Sequence, residues 1–143
     1  KIIIDRDLKI DLNSNIFKNN THSKNIIFHN SVNKKKINKL NKKGVKLFFF
    51  KLDDDNYFDL KKLFKKIYMI GIHNLLVECG KSLTYKLLKK KLFNEFYLFK
   101  SDKNIRINGN MNVLNIKKKL NLIYKYKNNI NTYLKKDTLI HYY

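Results

Sequence analysis

The sequence contains only two glutamates, Glu78 and Glu95, and both lie in one central segment. Glu78 ends an apolar run and is followed by Cys79 and Gly80, where a helix is predicted to begin. Open α/β sheets bind ligands at the carboxyl ends of their strands. A carboxylate there can accept hydrogen bonds from a sugar hydroxyl, and a glycine before a helix lets backbone N–H groups approach a phosphate. We therefore predict a ligand site at Glu78. The alternative is that Glu78 only caps this helix. It stays open because a single glycine is a weak signal of a ligand site.

The other polar groups are weaker candidates for chemistry. We interpret Glu95 as a structural or salt-bridging carboxylate, and the DDD run at 53–55 as a solvated turn rather than a metal site. Cys79 has no histidine near it in sequence, which favours a small buried side chain over a nucleophile. No paired metal-ligand spacing is found among the four histidines, which are His22, His29, His73 and His141. One cysteine cannot supply the His/Cys/Cys zinc site of a nucleoside-type deaminase, so we predict no deaminase domain.

The net charge of +21 over 143 residues indicates an anionic partner, such as nucleic acid, anionic lipid or a phosphorylated ligand. All the basic residues except Arg6 and Arg106 are lysines, and the chain is also rich in asparagine and isoleucine. These three residue types have A/T-rich codons, so drift in the composition of the gene explains the charge without selection for binding. Arginine is preferred for bidentate recognition of bases and phosphates. A nucleic-acid-binding domain is therefore the alternative, not the first prediction.

No apolar run approaches the roughly 20 residues that span a bilayer. The opening KIIIDRDLKI places charges in what would be the core of a signal peptide. A single cysteine cannot form an internal disulfide and suits a reducing compartment. We predict one cytoplasmic domain over residues 1–143 with no membrane partner. Because the chain opens on Lys1 inside a predicted strand, we also expect this domain to be N-terminally incomplete.

The elements that position these residues alternate between strands and helices. Short apolar runs predict three strands, at residues 1–5, 24–28 and 45–52. The intervening polar stretch 6–21 is predicted as a loop, and 32–43 as a surface helix that ends at Gly44. Asp59 precedes apolar residues at i, i+3, i+4 and i+7, and Gly71 follows, which predicts a well-capped helix.

The site segment continues the same order of elements. Residues 74–78 (NLLVE) predict the central strand of the sheet, 82–88 an amphipathic helix, and 96–99 (FYLF) another strand. A polar loop follows at 100–112. The last elements are predicted as an antiparallel strand pair at the sheet edge, 120–126 and 133–142. This order predicts an α/β fold with a mixed, mainly parallel sheet, flanking helices and a C-terminal antiparallel pair.

The words NLLVECGKSLTYKLLKKKLFNEFYLFK, at 74–100, resemble the core motif of the reductase domain of the riboflavin-biosynthesis bifunctional deaminase/reductase family. That motif consists of an apolar strand, V-E-x-G-x-x-L, a leucine-rich helix, a D/N-E pair and another apolar strand. KIIID is similar to the family's strand that ends in aspartate. The resemblance implies a dihydrofolate-reductase-like fold. It also implies NADPH-dependent reduction of the ribosyl group of 5-amino-6-(5-phosphoribosylamino)uracil to ribityl.

The resemblance also implies roles for particular residues. Glu78 matches the family's substrate-binding glutamate, and Arg6 matches a cofactor-contacting position where a guanidinium suits the 2′-phosphate of NADPH. No catalytic residue is identified. The stretch matching the one that lies along the cofactor is Gly80, Lys81, Ser82, Leu83, Thr84, Tyr85 and Lys86.

Two departures from the family pattern shape the expected partners. Lys81 stands where the family usually has proline. The family's first strand with S-x-D-G, and the segment after it, supply much of the cofactor and substrate-phosphate site and are not in this chain. We therefore expect a phosphorylated pyrimidine substrate, and either a homodimer or a complementing N-terminal segment. A decayed, inactive remnant of the reductase is the alternative. The 143 residues alone are expected to have little reductase activity.

Overall fold

The computed structural model describes residues 1–18, 25–102, 114–133 and 136–143. At 114 and 115 only the backbone is described. The chain divides into two compact units, Lys1–His73 and Asn74–Tyr143. We call them unit 1 and unit 2.

Unit 1 contains a parallel three-stranded sheet. Its elements are β1 (Ile2–Ile4), β2 (Ile26–His29), α1 (Lys34–Lys42), β3 (Lys46–Phe49) and α2 (Leu60–Met69). The strands are hydrogen-bonded in the order β1-β2-β3, with Ile3 beside Ile27 and Ile27 beside Leu47. β-branched and aromatic side chains fit a pleated, buried surface, so these short runs form strands. This confirms the three strands predicted at residues 1–5, 24–28 and 45–52.

Helices cover both faces of this sheet, as expected for parallel strands that are apolar throughout. On one face Leu40 of α1 packs in a buried cluster with Ile27 and with Leu8 from the loop after β1. On the other face Leu63 of α2 packs with Phe28. The carboxyl ends of the three strands are thereby held on a packed core.

Local capping sets the ends of both helices. The Asn33 side chain accepts a hydrogen bond from a first-turn N–H of α1 at 3.0 Å. The Asp59 carboxylate accepts two from the first turn of α2, at 3.0 and 3.2 Å. Gly44 and Gly71 follow the two helices with φ of 74° and 88°, values that glycine adopts without strain. The helices predicted at 32–43 and after Asp59 are confirmed.

Unit 2 contains an antiparallel sheet with two helices on one face. Its elements are α3 (Lys81–Lys89), β4 (Phe96–Lys100), α4 (Leu114–Ile123), β5 (Lys127–Ile130) and β6 (Thr138–Tyr142). The strands are paired in the order β4-β6-β5. Leu88 of α3 and Leu120 of α4 pack with Tyr142 of β6 in a buried cluster. The helix predicted at 82–88 and the strand predicted at 96–99 are confirmed.

The prediction of a central strand at 74–78 is wrong. These residues form neither a strand nor a helix, and Leu76 is 83% exposed. A strand exists only where neighbouring chain accepts and donates its backbone hydrogen bonds. Within the described ranges no strand pairs with this segment. The apolar run at 74–78 therefore led to the prediction of a buried strand, but no neighbouring strand is present to pair with it in the described residues.

The strand predicted at 120–126 is also wrong, because α4 occupies most of it. Ile116, Leu120 and Ile123 are spaced as on one helix face and pack into the same apolar cluster. The partner of β6 lies further on, at β5, whose sequence KNNI is mostly polar and exposed. A short apolar run does not distinguish a helix from a strand by periodicity. The antiparallel pairing itself is confirmed, with β4 as a second partner of β6.

The α/β fold class is confirmed, with one parallel and one antiparallel three-stranded sheet and four helices in the described residues. The predicted loop at 6–21, as far as residue 18, contains only a short 3-10 turn. The loop predicted at 100–112 lies mostly outside the described residues. No helix in the described ranges is long and apolar enough to cross a bilayer.

Candidate functional site

The start of α3 presents open backbone N–H groups. Gly80 is the N-cap residue and makes no side-chain cap bond. The first intrahelical hydrogen bond runs from the Thr84 N–H to the Gly80 carbonyl at 3.1 Å. The N–H groups of Lys81, Ser82 and Leu83 therefore precede the helical ladder and point along the positive end of the helix dipole. This is the geometry that favours an anion.

Gly80 is not required by the conformation of the chain. Its φ is −70° and its ψ is 167°, which any residue adopts. A Cβ at Gly80 would meet no atom within 4 Å, so space does not demand glycine either. Gly44 and Gly71 differ from Gly80, because their positive φ explains why glycine stands at those positions. The open space beside Gly80 is where a ligand can approach the backbone closely.

Thr84 holds the turn before α3 in place. It is buried, and its hydroxyl donates to the Cys79 carbonyl oxygen at 3.3 Å. The Thr84 Oγ1 also lies 3.2 Å from the Cys79 Sγ. Both contacts are internal to the chain, so Thr84 stabilises the Cys79–Gly80 backbone from beneath rather than presenting a free hydroxyl. The half-buried Cys79 agrees with its interpretation as a packing residue.

Glu78 is exposed at the beginning of this turn. It makes no hydrogen bond or ion pair with any residue that the structure describes. The N-cap of α3 is Gly80 and receives no side-chain bond, so the alternative interpretation of Glu78 as a helix cap is wrong. Its carboxylate oxygens are available to accept hydrogen bonds from a ligand.

The rest of the predicted cofactor stretch alternates around α3. Ser82 and Tyr85 are exposed, and Lys81, Leu83 and Lys86 are half-buried. The Nζ of Lys119 lies 3.9 Å from the centre of the Tyr85 ring, a cation–π contact that fixes the ring against α4. A ligand at the helix start can therefore reach Ser82, whereas Thr84 and the leucines on the buried side pack inward.

Arg6 lies at the carboxyl end of β1 in unit 1. Its Nε and one Nη2–H donate to the two carboxylate oxygens of Asp7, at 2.9 and 3.2 Å, and one Nη1–H donates to the Asn56 carbonyl at 3.1 Å. The hydrogen bond with Asp7 is the main reason that the pKa of Arg6 is raised, and it likewise lowers the pKa of Asp7. Two of the five guanidinium donors have no partner among the described residues. The predicted groove that joins Arg6 to α3 stays a prediction, because the two lie in different units.

Sequence reasoning missed the groups that tie together the carboxyl ends of β1 to β3. The two Asp5 oxygens accept from the N–H groups of Lys9 and Ile10 at 2.9 and 2.7 Å. The Asn30 side chain donates to the Phe50 carbonyl at 2.9 Å, and its N–H donates to the Arg6 carbonyl at 2.8 Å. These bonds join the strand ends to the loops that follow them. An Asp or Asn directly after an apolar strand is the signal that could have found them.

The remaining acidic candidates are structural. The Asp53 carboxylate accepts the Tyr57 N–H at 2.8 Å and closes a turn. Glu95 accepts from the Tyr97 hydroxyl at 3.1 Å and lies 3.0 Å from His141 Nε2. Both agree with their interpretations from sequence. In the described residues no group of histidine, cysteine, aspartate and glutamate side chains could hold a metal ion.

The structure is thus an α/β chain with a glycine turn at a helix N-terminus and, beside it, a carboxylate that has no partner among the described residues. The family model of the RibD C-terminal domain matches residues 1–103. The chain therefore belongs to the RibD C-terminal domain family, the reductase domain of riboflavin biosynthesis, and the resemblance stated from sequence is confirmed. A search of curated proteins found no match.

Proposed function

We propose that this chain is an NADPH-dependent reductase that converts the ribosyl group of 5-amino-6-(5-phosphoribosylamino)uracil to ribityl. The single observation that carries the proposal is the turn from Glu78 to α3, which combines an unpaired carboxylate, a glycine that the fold does not require and open N–H groups. It lies inside the segment matched by the family model. When bound, NADPH would supply a hydride for the anomeric carbon; the bond from that carbon to the ring oxygen would break, and the oxygen would take a proton from water.

The cofactor end of the proposed site is built from backbone donors. The first-turn N–H groups of α3 and the exposed Ser82 hydroxyl suit a pyrophosphate, and the glycine at position 80 lets it approach. The residues present therefore fit the group. Arg6 is proposed to bind the 2′-phosphate with its two remaining donors, since a planar guanidinium matches a phosphate well. Asp7 opposes this attraction, so the preference for NADPH over NADH is expected to be moderate.

Glu78 is proposed to bind the substrate rather than the cofactor. Its free carboxylate accepts hydrogen bonds from sugar hydroxyls, and positioning of this kind accounts for much of what a hydride-transfer enzyme contributes. Glu78→Gln keeps the shape of the side chain and removes its charge. We expect NADPH affinity to be nearly unchanged and substrate affinity to fall about tenfold, the loss of one charge-assisted hydrogen bond. Loss of NADPH binding in this variant would contradict the assignment.

The experiment that tests the function compares the 143 residues with a form extended upstream of Lys1. Each is titrated with NADPH and NADH by calorimetry and then assayed with the phosphoribosylamino-pyrimidine. We expect NADPH binding by both and substantial turnover only by the extended form or with a complementing chain. Full turnover by the 143 residues would contradict the expectation that they have little activity by themselves. Silence from both would favour a decayed, inactive reductase or the nucleic-acid alternative.

The nucleic-acid alternative requires lysines gathered on one surface with exposed aromatics between them. Lysines instead lie on all four described helices. Phe48 and Phe50 are half-buried beside Phe28, and only Phe49 of that run is exposed. The spread of the lysines favours compositional drift as the source of the charge, whereas the exposed aromatics Tyr97, Phe99 and Tyr126 of unit 2 keep the alternative open there.

A further inference from the structure

The two faces of the antiparallel sheet in unit 2 are unlike each other. One packs against α3 and α4 through Tyr142. The opposite face is not covered by any element of unit 2 that the structure describes. In register it carries the side chains that we call the open face: Tyr97, Phe99, Tyr126, Asn128, Ile130, Leu139, His141 and Tyr143.

Aromatic rings make up most of the open face, although a solvated sheet face is normally polar. Phe99 is 69% exposed, Tyr126 54% and Tyr97 47%. The Tyr97 and His141 rings stack at 4.3 Å with an interplanar angle of 4°, and Tyr143 lies 4.9 Å from His141. Phe99 stacks on no other ring in the described residues, so both sides of its ring are open to a ligand. Exposed aromatic surface of this kind marks an interaction site.

Hydrogen-bonding groups lie among these rings. The Asn128 amide donates to the Tyr143 hydroxyl at 3.0 Å. Glu95, just before β4, accepts from the Tyr97 hydroxyl at 3.1 Å and lies 3.0 Å from His141 Nε2, both through its Oε2. The Glu95 side chain is 55% exposed, and its Oε1 has no partner among the described residues. The open face can therefore both stack on a flat ring and hydrogen-bond to the edge of that ring.

The charge around the open face favours a polyanion. Residues 74–143 contain 15 lysines and arginines and four acidic residues, so the potential around unit 2 is positive. Lys125 lies at the face itself, with its Nζ 5.2 Å from the centre of the Tyr126 ring. Single-stranded nucleic acid fits both properties of the face, because it is a polyanion that carries flat rings able to stack on aromatic side chains.

We propose that the open face binds single-stranded RNA, whose bases stack on Phe99 and Tyr126 and whose phosphates lie near Lys125. One class of RNA-binding domain uses a sheet in this way, with aromatic side chains of the sheet stacking on two or three bases. RNA is favoured over DNA because the Asn128 amide and the tyrosine hydroxyls near it can bond to 2′-hydroxyl groups. Lysines are few at the face, so about two phosphate contacts should weaken binding only about sevenfold between about 50 and 200 mM salt.

The test is fluorescence anisotropy of the full chain with a labelled single-stranded oligocytidine of about ten nucleotides. Phe99→Ala removes a ring from the open face, and Leu122→Ala is the control at an 86% exposed leucine of α4 outside it. We expect Phe99→Ala to weaken binding about tenfold, the stacking contribution of one base, with an unchanged circular dichroism spectrum. Leu122→Ala should bind as wild type does. No binding by wild type at about 100 μM, or equal affinities of the two variants, would overturn the proposal.

Two further comparisons test which nucleic acid the face selects. Oligodeoxycytidine of the same length should bind several-fold more weakly than oligocytidine, and equal affinity would overturn the assignment to RNA. The open Oε1 of Glu95 can accept a hydrogen bond from the exocyclic amino group of cytosine, so oligocytidine should bind several-fold more tightly than oligouridine. Glu95→Gln should bring these two affinities closer together, and an unchanged ratio would remove Glu95 from the site. The readout is RNA affinity alone, so it does not depend on the proposed reductase activity.

Discussion

Gly80 is the residue of the candidate site that the fold least requires to be a glycine. Its backbone needs no glycine, yet it stands where ligand and helix N-terminus would meet. At the same turn Thr84 is internal to the chain, although sequence placed the two residues in one cofactor-binding stretch. The proposed ligand position at Gly80 and the support of the turn by Thr84 thus fall on different residues of one short stretch, because one side of α3 is buried.

Gly80→Ala should cost about 1 kcal/mol or less, since alanine is only a poorer N-cap than glycine. NADPH affinity should nevertheless fall about tenfold, because the new methyl group occupies the space that the ligand needs. Gly71→Ala is the matched control: it places alanine at a φ of 88°, costs about 1 kcal/mol, and should leave NADPH affinity unchanged. Thermal melting and fluorescence titration measure both. Equal affinities for the two variants would contradict the ligand role of Gly80.

Arg6→Ala should reduce the preference for NADPH over NADH towards equality, because it removes the proposed contact with the 2′-phosphate. Lys9→Ala is the control, since the Lys9 Nζ also lies near Asp7, at 3.5 Å, without a proposed cofactor contact. The ratio of the two dissociation constants by calorimetry is the measurement. An unchanged ratio in Arg6→Ala would remove Arg6 from the cofactor site.

At the scale of elements, α4 shows how an apolar run can be misassigned. Leu120 is fully buried and Leu122 is 86% exposed. In a strand these two residues would share a face, whereas in a helix they lie on nearly opposite sides. We expect Leu120→Ala to destabilise unit 2 by about 2–5 kcal/mol and Leu122→Ala by less than about 0.5 kcal/mol. Denaturant unfolding measures both, and similar losses would favour the strand.

We expect His29, at the end of β2, to make the stability of unit 1 sensitive to acid. His29 is buried, and its Nδ1 has no hydrogen-bond partner among the residues that the structure describes. Burial lowers the pKa of His29 below its usual 6.5, against a smaller opposing effect of the Ser31 backbone and the Asp5 charge. The folded state then binds fewer protons than the unfolded state, so stability is complete above pH 6.5 and falls as the pH drops through the lowered pKa.

His29→Gln should flatten this dependence between pH 7.5 and 5.5, because glutamine does not titrate. Urea unfolding at both pH values is the measurement, with His73→Gln as the control at an exposed histidine. If wild type and His29→Gln lose the same stability on acidification, another group is responsible.

At the scale of the whole molecule, the charge of +21 opposes compactness. Self-repulsion among lysines destabilises a folded chain and is screened by salt. We expect the melting temperature to rise by several degrees between about 50 and 500 mM NaCl, since about 1 kcal/mol shifts it by 2–8 °C. Replacing Lys34, Lys35 and Lys36 of α1 by glutamine should reduce that rise. A melting temperature independent of salt would show that the lysines are too far apart to interact.

The sequence by itself determined the elements whose hydrogen bonds are local. Asp59 and Gly71 mark the two ends of α2. They could be recognised because a helix makes its backbone hydrogen bonds within itself and needs only a cap at each end. The parallel strands of unit 1 were also predictable, since residues apolar on both sides must be covered on both faces. The V-E-x-G motif likewise located the candidate site, because its carboxylate, its glycine and the start of the helix follow one another closely along the chain.

Only the tertiary structure decided which segments pair. Residues 74–78 contain a continuous apolar run, as β1 to β3 do, yet no described strand accepts their hydrogen bonds. The polar KNNI of β5 is a strand because β6 lies beside it. Periodicity also could not predict that Thr84 hydrogen-bonds to Cys79 or that Phe99 is exposed. Both depend on which other residues lie next to them in the folded chain. A strand forms only by hydrogen bonding to another segment, which can be distant in sequence. Its partners are therefore determined by packing rather than by its own residues.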